Sequence, residues 1–157
     1  MEKRNSYEIT RKYLEKYREQ EQEIILQTER LENIKARLIS MGISELSDMP
    51  KGPFNASDKV GDLVSQYVDL DKEIQEMIIK QKEKRKHIEK YIVLIDTADE
   101  RAVLRMRYID GDSWGNITKS IFGKEIGFDK KKDNYRKRIY RINVSAIEKM
   151  SKFVKKN

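Results

Sequence analysis

Arg136, Lys137, Arg138, Tyr140 and Arg141 fall in one short run, four cations and a phenol with only Ile139 among them, and Lys130, Lys131 and Lys132 stand just ahead. Side chains of these types, crowded together, neutralise phosphates and reach the edges of bases; they imply no bond-making chemistry. Residues 130–157 hold 11 Lys and Arg against 2 acidic residues, a balance of +9, while residues 1–129 hold 23 against 25, a balance of −2, which together return the net +7. The whole positive excess is therefore C-terminal. The competing reading is a solvated basic helix or tail, as charge runs commonly are.

The element that must position these groups is a helix. Ile139, Ile142, Ala146, Met150 and Phe153 follow one another at three- and four-residue steps, one apolar stripe that leaves the basic residues on the other faces. Upstream, Thr97 with Glu100 has the spacing at which each side chain satisfies a free backbone N–H, so a helix is predicted from about Ala98. Val103, Leu104, Met106, Tyr108 and Ile109 form its apolar face, and Asp110, Gly111 and Asp112 end it, Gly111 being suited to a left-handed cap. Ser113 then caps a second helix with Trp114 in its first turn and Ile117 and Ile121 on one face. Trp114 is read as a packing residue clamping these helices, ahead of a base-stacking role. Two short helices, a tight turn and a basic helix are the order of a helix-turn-helix, which tips the balance toward nucleic acid.

The run LRMRYIDGDSWGNI at 104–117 resembles the hallmark of helix-turn-helix proteins related to region four of bacterial sigma factors, L-R-x-R-Y-I-x-G-x-S-W-x-x-I. RINVSAIEKM at 141–150 is similar to the R-x-x-x-A-[LI]-x-K-[LM] ending of their next helix. More narrowly, the chain resembles small sigma-like regulators of phages and prophages of low-GC Gram-positive bacteria, akin to the phage positive-control and autolysin-regulator families. Their layout is a charged helical hairpin, an S-D-K-V-G-D-type helix start and this C-terminal domain; Ser57, Asp58, Lys59, Val60, Gly61 and Asp62 match that start. The resemblance covers residues 55–152 and is most specific at 104–117. It implies a transcription regulator that acts with host RNA polymerase. One departure stands out: the family joins its last two helices by a turn of a few residues, whereas here FGKEIGFDKKK, at 122–132, lengthens the connection. A wing or hairpin touching the DNA backbone and a longer surface loop both fit this segment, the loop slightly better.

Charged residues make up 39% of the chain and hydrophobic ones 38%, against about 25% charged in ordinary domains, which favours long exposed helices and a thin core. Residues 7–41 contain neither Gly nor Pro, and Tyr17, Ile24, Leu31 and Leu38 repeat as a heptad, joined by Ile34 and Met41. Gln20 and Gln27 occupy the seam and weaken its first half. After a connector at about 42–56, Ser57 is placed to cap a second long helix with two heptad series: Val60, Tyr67, Ile74, Gln81, Ile88 and Ile95, and Leu63, Leu70, Met77, Lys84 and Tyr91. Two seams of similar length joined by one loop predict an antiparallel hairpin, with a homodimeric coiled coil as the competing arrangement. The expected architecture is all-α: a coiled-coil-like helical hairpin over residues 1–96, then a helix-turn-helix domain over 97–157 with an extended turn at 122–132.

Catalytic machinery is not legible. The one His, His87, lies on a charged helix, there is no Cys, and Asp110 with Asp112 supply too few carboxylates for a calcium loop, so no metal, cofactor or enzyme activity is expected. The absence of Cys fits a reducing cytosol, and no apolar run predicts a signal peptide or membrane span. The expectation is a sequence-specific, sigma region-four-like regulator, phage- or mobile-element-encoded, monomeric or homodimeric, on double-stranded DNA in the bacterial cytosol and nucleoid. Arg136, Lys137, Arg138, Tyr140 and Arg141 would serve bases and nearby phosphates. Lys130, Lys131, Lys132, Lys149, Lys152, Lys155 and Lys156 would add phosphate contacts, with Ser113 and its helix start anchoring another. The alternatives are a phage DNA-packaging recognition subunit of small-terminase type, and a helical module whose basic end binds an acidic protein.

Overall fold

A computed structural model of the chain describes residues 2–43 and 59–154. Among these the structure is all-helical: α1 (Glu2–Ser40), α2 (Lys59–Ile92), α3 (Ala98–Leu104), α4 (Trp114–Phe122) and α5 (Lys132–Val154). A π-helical turn, Arg105–Ile109, prolongs α3, and a 3-10 turn, Phe128–Lys131, leads into α5. The cap expected at Ser57, most of the connector, and Lys155 and Lys156 lie outside the described residues. The chain divides into two compact units, Gln20–Lys82 on its own and Met1–Glu19 together with Glu83–Asn157.

In Gln20–Lys82 the predicted seams meet. Leu31, Ile34 and Leu38 of α1 share one buried cluster with Leu63, Val64, Tyr67, Leu70 and Ile74 of α2. From Gln20 to Arg30 no residue is buried, as polar seam positions dictate, and Ile24 is only half covered. There the helices meet through polar groups: Gln81 Nε2 donates to Glu21 Oε1 at 3.0 Å. Met41, expected in the seam, is 51% exposed. The helix stops at Ser40, Gly42 turns left-handed at φ 91°, and the Ile43 amide donates back to the Leu38 carbonyl at 3.1 Å. That closing turn carries Ile43, not Met41, onto the core.

The other unit combines the start of α1 and the end of α2 with everything that follows. Leu14, Tyr17, Ile88, Ile92 and Ile95 are buried in the same cluster as Leu104, Tyr108, Ala146, Ile147 and Met150. The compact units divide inside the two long helices, between Glu19 and Gln20 and between Lys82 and Glu83. A second cluster, Val103, Ile117, Phe122, Phe128 and Ile139, joins α3, α4 and α5. α3 begins at Ala98 as predicted, but not by the predicted cap. Thr97 makes no side-chain bond to the helix backbone, and Glu100 turns inward to Ser145 and Lys149 of α5. Gly111 does take the left-handed conformation, φ 76°, while the Asp112 amide returns to the Met106 carbonyl at 2.8 Å.

Candidate nucleic-acid interface

The orientation of α5 follows from its stripe. Ile139, Ala146, Ile147 and Met150 are wholly buried and Asn143 is buried with them, which leaves Tyr140, Arg141, Val144 and Glu148 on the exposed side of α5. Arg136, Lys137, Arg138, Tyr140 and Arg141 are exposed, as are Lys130, Lys131 and Lys132 in and after the 3-10 turn and Ser113 ahead of α4. Among the described residues none of these seven cations forms an ion pair; the acids nearest in sequence are Asp129 and Asp133. Exposed cations thus outnumber exposed carboxylates, Asp129 and Asp133, from the 3-10 turn along the first half of α5.

Several of these side chains are held rather than free. Arg138 lies over the Phe122 ring at 4.9 Å and Lys132 over Phe128 at 5.9 Å, cation–π contacts that limit their sweep without neutralising them. Arg136 reaches α4: its Nη2 is 3.8 Å from where a Cβ on Gly115 would sit, an ordinary van der Waals approach. Ser113 Oγ accepts the Asn116 amide at 3.2 Å and caps α4 as predicted. That oxygen is thereby engaged, which leaves any anion at this end to the remaining free amides of the first turn.

Trp114 packs between side chains of two neighbouring elements. The Arg107 guanidinium lies 4.3 Å over its ring, and the Tyr140 ring meets it nearly perpendicular at 5.1 Å. Arg107 Nη1 also donates to the Asp112 carbonyl at 3.1 Å, fixing the turn before α4. Burial, and then the charge of Arg18, lower the Arg107 pKa from its usual value, though a guanidinium stays cationic at any pH the fold survives. Arg107 thus adds a positioned charge beside Tyr140 that the sequence reading passed over. Its signal was present, an arginine two residues before Ile109 in the run that ends at the Gly111 turn.

The segment 122–132 is more than a surface loop. Phe122 and Phe128 are buried, and the Tyr135 ring stacks on both, at 4.9 and 5.7 Å. The lengthened connection is therefore part of the second core cluster and sets where α5 begins. Lys149, expected to touch phosphate, is instead bound to Glu100 at 2.7 Å, while Lys152 is exposed. His87 is exposed on α2.

No helix among the described residues is long and apolar enough to cross a membrane, and no group of three or more His, Asp or Glu side chains among them is placed to hold a metal ion. No protein-family model, curated protein or solved structure matches this chain.

Proposed function

We propose that the protein is a sequence-specific DNA-binding transcription regulator. In this reading α3 with its π-turn, α4 and α5 act as a helix-turn-helix, and α1 and α2 as a coiled-coil-like antiparallel hairpin. The observation that carries it is the set of seven exposed, unneutralised cations at 130–141, two on the 3-10 turn and five on α5, whose apolar face is packed into a core. Such a surface repels itself and is relieved by phosphates, and a helix bearing it on an open face fits the major groove. Arg136, Lys137, Tyr140 and Arg141 are assigned to bases and nearby phosphates. Arg138, Lys130, Lys131 and Lys132 are assigned to the backbone, with the start of α4 after Ser113.

The resemblance of 104–117 and 141–150 to sigma region-four-type domains adds the expectation of a phage- or prophage-encoded regulator working with host RNA polymerase in the bacterial cytosol. Recovery of bound sites from a random duplex pool tests the reading. A defined motif supports it; binding that is equal on all sequences and vanishes with salt removes sequence reading.

A further inference from the structure

Between α4 and the 3-10 turn stands a side chain that neither the core nor the DNA reading employs. Ile126 is 96% exposed, the most open large apolar residue among those described. It sits at the apex of a double turn: the Glu125 amide donates to the Phe122 carbonyl at 3.0 Å, and the Phe128 amide to the Glu125 carbonyl at 3.1 Å. Both ends of that double turn are pinned by the buried rings of Phe122 and Phe128, stacked on Tyr135. A loop anchored in this way holds Ile126 out and cannot fold it back onto the core. Leaving an isoleucine in water forgoes the hydrophobic gain that favours burial, and a plain connector takes Gly, Asn, Asp or Ser at such a place.

The neighbourhood is cationic. Lys124, Lys130, Lys131 and Lys132, which flank Ile126 in sequence, are exposed, as are the carboxylates of Glu125 and Asp129. An apolar tip in a positive collar complements a polyanion with an apolar interior, which is what the base stack of a duplex offers between its two phosphate walls. We propose that Ile126 is an apolar wedge that enters the minor groove beside the segment read by α5 and partly separates two stacked base pairs, bending the duplex. The wedge rests on the DNA-binding reading above. It deepens that reading by giving the lengthened connection a role of its own.

The test uses the full chain and a duplex carrying a selected site, labelled at both ends for energy transfer and holding 2-aminopurine at steps flanking the α5 footprint. Wild type should bring the ends closer and raise 2-aminopurine fluorescence. Ile126→Ala should lose both signals and bind roughly tenfold more weakly, with melting and circular dichroism unchanged, and Ile126→Leu should restore them. Equal bending by wild type and Ile126→Ala overturns the wedge. So does wild-type binding to a defined motif without bending, which leaves the DNA reading standing. Failure of wild type to bind any duplex overturns both. A variant that binds and bends like wild type yet loses promoter activity would assign Ile126 to a protein partner and refute the wedge.

Discussion

Lys149 Nζ near the end of α5 lies 2.7 Å from Glu100 Oε2 in the first turn of α3, and Ser145 donates to the other carboxylate oxygen at 2.6 Å. Glu100 is buried, Lys149 partly open to water. Burial pushes the Glu100 pKa up, but the hydrogen bonds from Lys149 and Ser145 and the charge of Lys149 outweigh it, and the carboxyl ends below its usual 4.5. The pair locks the start of the C-terminal helices to the far end of the basic helix.

A folded-state pKa below the unfolded one gives stabilisation that is complete above about pH 4.5 and is lost as pH falls further. Thermal melts of the wild type should therefore weaken on acidification below that point. Glu100→Gln should cost about 1 to 3 kcal/mol at neutral pH, the scale of charge-assisted bonds removed from a buried acceptor, and should flatten the acid limb. An acid limb unchanged by the substitution would show that other carboxylates govern it.

Tyr108 gives the alkaline counterpart. Its hydroxyl accepts from Asn143 Nδ2 at 3.4 Å in the core, and burial raises its pKa above 10.0, partly offset by that bond. The neutral phenol stabilises fully below pH 10, and the contribution is lost as pH rises beyond it. Tyr108→Phe should cost about 1 kcal/mol at neutral pH and make melting less sensitive to pH above 10. Identical alkaline slopes for both proteins would contradict this.

Ile139 has no solvent exposure and sits among Val103, Ile117, Phe122 and Phe128. Ile139→Asp forces a carboxylate into that cluster and should cost at least about 4 kcal/mol, enough to unfold a marginal unit. Circular dichroism and melting check it, and an unchanged melt would mean that the stripe is not what holds α5.

Under the proposed DNA-binding function, Arg141 and Lys131 are expected to make two different kinds of DNA contact. Arg141→Ala should weaken binding to the selected site by about 1 to 3 kcal/mol and relax the preference at one position. Lys131→Ala should lower affinity about equally on all sequences and reduce its salt dependence. Equal modest losses for both on specific and random duplexes would remove the base-reading assignment of Arg141.

The long helices were legible because heptads report burial directly: Tyr17, Leu31, Leu38, Tyr67, Ile74 and Ile88 all stand where their spacing placed them. Helix ends were less so, since a cap depends on local geometry. Gly111 turned left-handed as its type suggested, whereas Thr97 and Glu100 had capping spacing and Glu100 found a better partner 49 residues away. The division of the chain was hidden because α1 and α2 read as uniform repeats, with nothing in their period to show that Leu14 and Ile92 join a different core from Leu31 and Leu70. The candidate interface was legible as charge, but its order was not. Arg138 on Phe122 and Arg107 on Trp114 depend on contacts across elements that no spacing encodes.

The central claim is that the basic face of α5 reads duplex sequence, and selection of sites from a random duplex pool by the purified protein, at two salt concentrations, tests it most directly. The account predicts a recovered motif whose advantage over random DNA survives the higher salt. Binding without a motif, lost entirely as salt rises, would contradict it.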